Sequence, residues 1–442
     1  MVIYMNGEKV AKLSRATGGR LELAYLDEWL SSPSRRPLSL SLPLGKARFS
    51  GEIVQNFFDN LLPDSEPIRR RIQARFRAKS SDSFDLLWHI GRDCVGALQL
   101  LPEEVEAVDV KKIEGKGLSE ADIAWILSNY QTMPLGMAEG EDFRISIAGA
   151  QEKTALLQID GHWLLPVGLT PTTHIFKLPI GKNSRFDLSE SVENEWLCHL
   201  VLKEFSIPVA DAEMAVFDGM KALVVTRFDR RMSSDGAWII RLPQEDFCQA
   251  LGVSPGLKYE SAGGPGIVDI MRLLMGSTNR AQDRRNFMKT QFVFWLLAAI
   301  DGHGKNFSIF LESQGRYRLT PMYDVLSAHP LVEKKDFAAQ RIKMAMALRG
   351  KRPHYHWQRI KPRHWLGTAK ACGFPEDEMR GIISEVLDSL DAVIGRVGLQ
   401  VPEGPAQEVA EAIFRGMRTS REMYLAEMQS SDGEGNSGSQ HL

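Results

Sequence analysis

The chain has 442 residues, of which 43% are hydrophobic and 25% are charged, and its formal net charge is -2. This composition predicts a globular protein of two or three packed units and argues against a global basic field for nonspecific nucleic-acid binding. The four cysteines form no CxxC pair, and neither a signal peptide nor a bilayer-length apolar run is recognised. We therefore expect a cytoplasmic protein without disulfides, zinc or a membrane segment.

The first part of the chain, residues 1–105, predicts a small subdomain of mixed strands and helices. Strands at 2–5 and 10–13 flank Asn6-Gly7, a hairpin signal because both turn positions need positive φ. Alternating apolar residues predict another strand at 38–42.

The order of the remaining elements predicts a fold class. Residues 106–142 predict a linker and a helix, and 143–240 predict a β-rich, nucleotide-binding lobe. Residues 241–429 predict a helical catalytic lobe, and the Ser/Gly-rich end, 430–442, predicts a disordered tail. Together these segments predict an α+β, two-lobed protein-kinase-like fold with an additional small N-terminal subdomain.

The most informative motif is the segment 301–306, Asp-Gly-His-Gly-Lys-Asn, which follows the apolar run 292–300. In a kinase catalytic loop, an aspartate accepts the proton of the attacking hydroxyl, and an asparagine five positions later holds a metal bound to ATP. Asp324 follows a short predicted hairpin, where such enzymes keep their main metal ligand. The spacing predicts Asp301 as catalytic base and Asn306 with Asp324 as metal ligands. The simpler alternatives are turn residues and, for Asp324, a helix cap.

Other parts of a phosphoryl-transfer site also have candidates. Small residues at 146–154 suit a backbone cradle for phosphates, and Lys177 on a following strand suits the α- and β-phosphates. A solvated lysine is the alternative. Glu193 and Glu195 are both available to orient that lysine, or they are ordinary surface glutamates. Residues 226–228 suit a hinge that offers backbone groups to adenine.

Several of these segments resemble the HipA toxin family. The matching stretches are 36–43, 56–64, 142–156, 171–179, 241–246 and 301–308. The resemblance covers nearly the whole chain except the last twenty or so residues. It implies a serine/threonine kinase of a type II toxin–antitoxin pair that phosphorylates glutamyl-tRNA synthetase, stalls translation and promotes persistence.

The same resemblance implies roles for individual residues. Ser146 matches an autophosphorylated serine, and its modification would inactivate the enzyme because about two negative charges there oppose the ATP phosphates. Asp301 would be the base, with Mg²⁺ held by Asn306 and Asp324. The residues implied in ATP binding are Ala148, Gly149, Ala150, Gln151, Glu152, Lys153, Lys177, Thr226, Arg227, Phe228, His303, Gly304, Lys305, Asn306, Tyr323 and Asp324.

The implied partners are a HipB-like helix-turn-helix antitoxin dimer and, through that complex, operator DNA. Lys370 matches a DNA-contacting lysine, and the basic segment 359–364 lies close to it in sequence, although a solvated helix face is the alternative. The chain departs from the family at Gly373, which replaces a basic residue, and at Thr226, which replaces an acid.

Two other functions remain open from the sequence. Small-molecule kinases of similar fold share the Asp-x-x-x-x-Asn loop, and a non-catalytic corepressor would use the fold only to hold antitoxin and DNA. Intact Lys177, Asp301, Asn306 and Asp324 argue against the second.

Overall fold

A computed structural model of the chain describes residues 1–104, 109–129, 151, 153–182 and 186–436, with side chains through 430. The strands are β1 (Val2–Met5), β2 (Glu8–Arg15), β3 (Leu21–Tyr25), β4 (Arg48–Ser50), β5 (Leu98–Leu101), β6 (Gly115–Gly117), β7 (Lys153–Ile159), β8 (His162–Pro166), β9 (His174–Lys177), β10 (Gly181–Lys182), β11 (Asp187–Leu188), β12 (Ala212–Phe217), β13 (Met220–Thr226), β14 (Arg230–Met232), β15 (Ile239–Arg241), β16 (Gln244–Asp246), β17 (Ser308–Leu311), β18 (Tyr317–Leu319), β19 (Lys343–Arg349) and β20 (Pro353–His356).

The helices alternate with these strands early in the chain and dominate after residue 260. They are α1 (Asp27–Ser31), α2 (Glu52–Asp59), α3 (Glu66–Phe76), α4 (Ser83–Ile90), α5 (Glu120–Asn129), α6 (Ser191–Glu204), α7 (Phe247–Ala250), α8 (Ile267–Leu273), α9 (Arg280–Leu296), α10 (His329–Glu333), α11 (Pro362–Ala371), α12 (Glu376–Gly398) and α13 (Pro405–Asn436).

By their packing, the described residues divide into two units. The first comprises Met1–Pro179, Ala210–Lys258 and Phe307–Thr320, and the second comprises Ile180–Val209, Tyr259–Asn306 and Pro321–Leu442. These two units do not test the domain boundaries predicted from the sequence, which stay a prediction.

The first unit is built on two main sheets. The predicted hairpin forms β1 and β2, with Asn6 at φ 48° and Gly7 at φ 88°, and it lies in an antiparallel sheet of order β4-β3-β2-β1-β5. The second sheet has the order β12-β13-β9-β7-β8-β6. One hydrophobic core joins them and includes Ile3 of the first sheet and Phe176 of the second, both at most 1% exposed.

Five buried charged side chains tie the early part of this unit to its later strands. Asp93 lies 2.8 Å from Arg230, 3.2 Å from Arg241 and 3.3 Å from Arg227, and Asp229 lies 2.9 Å from Arg227. Burial works to raise the pKa of Asp93, but the three guanidinium groups outweigh it and hold that pKa well below its usual range. Both aspartates are therefore charged and matched by arginines.

The second unit is mainly helical. α9 is buried along most of its length and packs against α12 and α13, while the hairpin β19-β20 packs against α11. Within the described ranges, no helix is both long and apolar enough to cross a membrane.

The structure corrects some local predictions. Residues 38–42 form no strand but only an isolated bridge between Ser39 and Leu42, because the backbone N–H groups of Leu38 and Leu40 donate to the side chains of Tyr25 and Glu245. The predicted strand at 144–147 lies outside the described residues. The predicted tail starts at 430, within α13, and residues 437–442 lie outside the described part.

Candidate active site

The predicted catalytic loop begins just after α9 ends. The helix stops at Leu296, and Ala298 takes a left-handed backbone conformation with φ 47°. The N–H of Ala299 then donates to the carbonyl of Phe294 at 2.8 Å, which satisfies an unpaired carbonyl at the helix end. This turn directs the chain into the loop that starts at Asp301.

The end of α9 is also fixed by two elements that follow much later in the chain. The Leu296 carbonyl accepts hydrogen bonds from Ser420 Oγ of α13 at 3.0 Å and from His329 Nε2 of α10 at 2.8 Å. Burial lowers the pKa of His329 to about 4, so the ring is neutral at pH 7 and carries its proton on Nε2. The C-terminal helix thus supports the end of α9, from which the predicted catalytic loop departs.

The loop 301–306 folds around one backbone carbonyl. The carbonyl of Asp301 accepts the N–H of His303 at 2.8 Å and the Nδ2 of Asn306 at 2.7 Å. The same Nδ2 lies 3.5 Å from the carbonyl of Asp324. One side-chain amide therefore joins the two carboxylate-bearing segments that the sequence predicts to act together.

The carboxylate of Asp301 is accessible to solvent, with 55% of the side chain exposed. Its Oδ1 accepts a hydrogen bond from the hydroxyl of Tyr259 and lies 3.9 Å from His303 Nε2. No sequence motif marks Tyr259, which lies 42 positions before Asp301. A carboxylate with this exposure can accept a proton from an incoming hydroxyl.

Asp324 has an unusual backbone conformation for a residue with a side chain, with φ 63°. Such a conformation costs roughly 1–3 kcal/mol and persists where the surrounding structure fixes it. The hydroxyl of the preceding Tyr323 donates to the carbonyl of Lys305 at 2.9 Å, which fixes this segment to the loop. α10 begins only at His329, so the alternative that Asp324 caps a helix near Val325 is wrong.

The donor set of the loop suits Mg²⁺. Both hydrogen bonds of the Asn306 side chain use Nδ2, so its amide oxygen, together with the Asp324 carboxylate, offers the hard oxygen ligands that Mg²⁺ prefers. In the part of the chain that the structure describes, no group of three His, Cys, Asp or Glu could hold a metal. Mg²⁺ usually takes one or two protein ligands and completes its shell with phosphates and water, so the oxygen donors of Asn306 and Asp324 are enough for such a site.

The predicted phosphate cradle is only partly described. Ser146, Ala148, Gly149, Ala150 and Glu152 lie outside the described residues.

Next to them, the Gln151 Nε2 donates to the carbonyl of Leu178 at 3.0 Å, and Lys153 of β7 lies opposite Lys177 of β9. Lys177 is only 6% exposed, which overturns the alternative of a solvated lysine. A buried lysine costs desolvation energy, so its burial favours a specific role.

The two candidate glutamates lie on α6 in the second unit. Glu193 is 4% exposed and Glu195 is 2% exposed, so the alternative of ordinary surface glutamates is wrong for both. Glu195 Oε1 lies 3.8 Å from His199 Nε2, one helical turn along. The choice between the two glutamates stays open.

The predicted hinge, residues 226–228, would contact adenine through its backbone groups. The N–H groups of Thr226 and Arg227 already donate to the carbonyls of Asp211 and Thr173, at 2.8 and 2.9 Å. The guanidinium of Arg227 belongs to the buried charge cluster described above, and the ring of Phe228 packs within the first unit. Both N–H groups therefore already donate within the protein. Nucleotide recognition by this segment stays a prediction.

The predicted DNA contact, Lys370, is exposed on α11. It belongs to a wider feature, because residues 337–375 contain nine lysines and arginines and no aspartate or glutamate. The exposed members are Arg341, Lys343, Lys351, Arg352, Arg359, Arg363 and Lys370. A region of this charge suits an anionic partner.

The predicted site residues thus divide between the two units. The second unit contains the predicted catalytic loop, where the side chains of His303 and Lys305 are buried at 3% and 6% exposure, and also the Tyr323-Asp324 segment. The first unit contains the described members of the nucleotide set, namely Gln151, Lys153, Lys177, Thr226, Arg227 and Phe228.

Comparison with a solved structure confirms the predicted fold. The chain superposes on HipA in the Shewanella oneidensis complex of HipA, HipB and operator DNA with a TM-score of 0.80, covering 97% of this chain and 98% of that one at 22% identity. The α+β, kinase-like fold follows from this likeness.

Sequence comparisons identify the family. The putative kinase Y4mE of Sinorhizobium fredii is 36% identical over 401 residues, 89% of this chain and 91% of that protein. The serine/threonine-protein kinase toxin HipA of Shewanella oneidensis is 27% identical over 344 residues, 75% and 74% of the two chains. The family model of the HipA N-terminal domain matches residues 1–101, and that of the HipA-like C-terminal domain matches residues 145–394. The chain belongs to the HipA family.

Proposed function

We propose that the chain is an ATP- and Mg²⁺-dependent serine/threonine protein kinase that acts as the toxin of a type II toxin–antitoxin system. The observation that carries the proposal is the Asn306 amide, whose Nδ2 joins the carbonyls of Asp301 and Asp324 at 2.7 and 3.5 Å. These two contacts hold the loop that carries the exposed Asp301 carboxylate to the segment that carries Asp324, and phosphoryl transfer needs a base and metal ligands in one site.

Each residue has a role in this proposal. Asp301 accepts the proton of a serine or threonine hydroxyl, while Asn306 and Asp324 hold the metal. When bound, Mg²⁺ supplies charge neutralisation at the phosphates of ATP. Lys177 pairs with phosphate oxygens, and the segments 148–153 and 226–228 contact the rest of the nucleotide.

The wider biological role also belongs to the proposal. Membership of the HipA family supports a toxin that phosphorylates glutamyl-tRNA synthetase, stops translation in the cytoplasm and promotes persistence. Autophosphorylation of Ser146 would end this activity, because the added charge opposes the binding of ATP phosphates.

An assay of purified protein tests the proposal. With ATP, Mg²⁺ and glutamyl-tRNA synthetase, we expect Asp301→Asn to lower phosphate transfer by about 100-fold or more, the usual contribution of a general base. Asp377→Asn, an exposed aspartate at the start of α12, should leave transfer unchanged. The same Asp301 variant should abolish growth arrest on expression.

The alternatives give other results. Undiminished phosphate transfer by Asp301→Asn would show that Asp301 is not the catalytic base. Phosphorylation of a sugar or lipid but of no protein would favour the small-molecule kinase, and arrest that persists in the Asp301 variant would favour a binding function.

A second role, as corepressor, is favoured by the acid-free segment 337–375. Its exposed lysines and arginines suit the phosphates of operator DNA, and the Shewanella oneidensis structure contains HipB and operator DNA beside HipA. We propose that a HipB-like dimer brings this chain to its own operator, with Lys370 and Arg363 among the phosphate contacts.

A further inference from the structure

Tyr259 lies next to the carboxylate of Asp301. Its hydroxyl donates a hydrogen bond to Asp301 Oδ1, and its ring meets the His303 imidazole edge to face, with centroids 5.0 Å apart and planes at 82°. His303 Nε2 lies 3.9 Å from the same Oδ1. One oxygen of the carboxylate is therefore flanked by two aromatic side chains.

The backbone of Tyr259 is held by its neighbours in sequence. Its carbonyl accepts the N–H groups of Ala262 and Gly264, both at 2.9 Å, so the segment is a closed turn. These two bonds restrict the backbone of the residue that they surround.

The next side chain fixes this turn to β19. Glu260 accepts the N–H of Ala347 at 2.6 Å and the guanidinium of Arg349 at 2.7 Å. The Glu260 side chain is 8% exposed, and Arg349 is in turn bound to α11 through its backbone N–H and Thr368 Oγ1 at 2.7 Å. Tyr259 is therefore attached to the helical unit on a rigid support.

We infer that Tyr259 is a positioning residue that orients the carboxylate of Asp301 for proton transfer. The Asp301 side chain is 55% exposed, and an exposed carboxylate without a partner rotates freely between rotamers. With Oδ1 bound to Tyr259, the rotation is restricted and Oδ2 faces the incoming hydroxyl. This inference rests on the proposed kinase function.

Replacing the hydroxyl alone tests the inference. Tyr259→Phe keeps the ring against His303 and removes only the donor to Asp301. With ATP and glutamyl-tRNA synthetase, we expect kcat to fall by about 10-fold while the KM for ATP changes less than about 2-fold, because orientation acts in the transition state. Tyr424→Phe, a buried tyrosine of α13 in the same unit, should leave kcat unchanged.

A double variant separates positioning from general damage to the fold. In the Asp301→Asn background, Tyr259→Phe should cause no further loss of kcat, since its effect passes through the carboxylate. The thermal unfolding midpoint of Tyr259→Phe should match that of Tyr424→Phe.

Each other result has a distinct meaning. If the unaltered protein transfers no phosphate to any protein, the proposed function itself fails. If Asp301→Asn is fully active, Asp301 is not the base, and the positioning role of Tyr259 fails with it. If Asp301→Asn is inactive but Tyr259→Phe matches the unaltered protein, only the positioning role fails. A rise in kcat in Tyr259→Phe, or phosphotyrosine at position 259 after incubation with ATP, would overturn the inference and make Tyr259 a blocking group or an acceptor.

Discussion

Glu245 is a buried acid, and none of the described hydrogen-bond partners of its carboxyl group is a basic side chain. It lies on β16 with 0% exposure, and its Oε1 accepts the backbone N–H of Leu40 at 2.8 Å. Its Oε2 has no hydrogen-bond partner among the described residues. Burial raises the pKa of Glu245 to about 8, although hydrogen bonds from Ser39 and Leu40 oppose the rise.

From the raised pKa of Glu245 we expect the free energy of unfolding to depend on pH. The folded protein retains the Glu245 proton up to about pH 8, whereas the unfolded chain releases it near pH 4.5. The folded state therefore binds more protons between these values, and stability falls as the pH rises through this window. Glu245→Gln has no proton to lose and should gain roughly 2–4 kcal/mol relative to the unaltered protein between pH 5 and pH 8.

Urea denaturation at pH 5, 6.5 and 8 measures this difference. The free energy of unfolding of the glutamine variant should decline less steeply with pH than that of the unaltered protein. Parallel pH curves for the two proteins would show that Glu245 is not protonated in the folded state.

At the scale of elements, α13 and α10 meet at a position where only glycine fits. A Cβ added at Gly416 of α13 would overlap the ring of His329. That ring cannot move aside easily, because it is bonded to the Leu296 carbonyl and packs against Trp357 with centroids 5.6 Å apart. The close approach places His329 and Ser420 at the end of α9.

Two helical glycines should therefore respond with opposite signs to replacement by alanine. Gly381→Ala, in α12 with no atom within 4 Å of the added Cβ, should stabilise the protein by up to about 1 kcal/mol through helix propensity. Gly416→Ala should destabilise it by roughly 1–3 kcal/mol through overpacking. Equal shifts of the thermal midpoint in the two variants would refute the close contact.

The loop 301–306 could be located from sequence because its signal is local, while its catalytic role stays a prediction. Asp301 and Asn306 stand at fixed spacing in one turn, and Asp324 follows a hairpin that the structure confirms as β17 and β18. Tyr259 was missed because its contact with Asp301 joins segments 42 positions apart, and the intervening chain carries no periodic signal for it.

The strand predicted at residues 38–42 failed for a related reason. Leu38 and Leu42 are buried, but Ser39 between them is buried as well, at 0% exposure, so the alternation of residue types is not an alternation of burial. The hydrogen bonds that decide the conformation of this segment, however, are donated by the N–H groups of Leu38 and Leu40 to the side chains of Tyr25 and Glu245. Tertiary contacts of this kind override local pattern.

At the scale of the whole molecule, charge is distributed very unevenly. The formal net charge is -2, although residues 337–375 contribute nine positive charges and no negative ones. The remainder of the chain is thus clearly acidic. The protein therefore approaches a polyanion favourably only when residues 337–375 face that polyanion.

This asymmetry predicts a salt-dependent contribution to operator binding. Arg363→Ala with Lys370→Ala should weaken binding of the complex with its antitoxin and reduce the slope of log K against log salt by about 2. Replacing Arg415 and Arg418, exposed basic residues of α13 that lie outside the acid-free segment, serves as the control. Gel-shift titrations at several salt concentrations measure both slopes, and an unchanged slope in the first variant would exclude these phosphate contacts.

The cluster around Asp93 has a consequence for how the protein can be divided. Any cut between positions 94 and 226 separates an aspartate that three arginines share from all of those arginines, Arg227, Arg230 and Arg241. A guanidinium deprived of its counter-ion inside a protein is strongly destabilising. The amino-terminal hundred residues are accordingly not a detachable accessory. Fragments should recover solubility only when both halves are produced together.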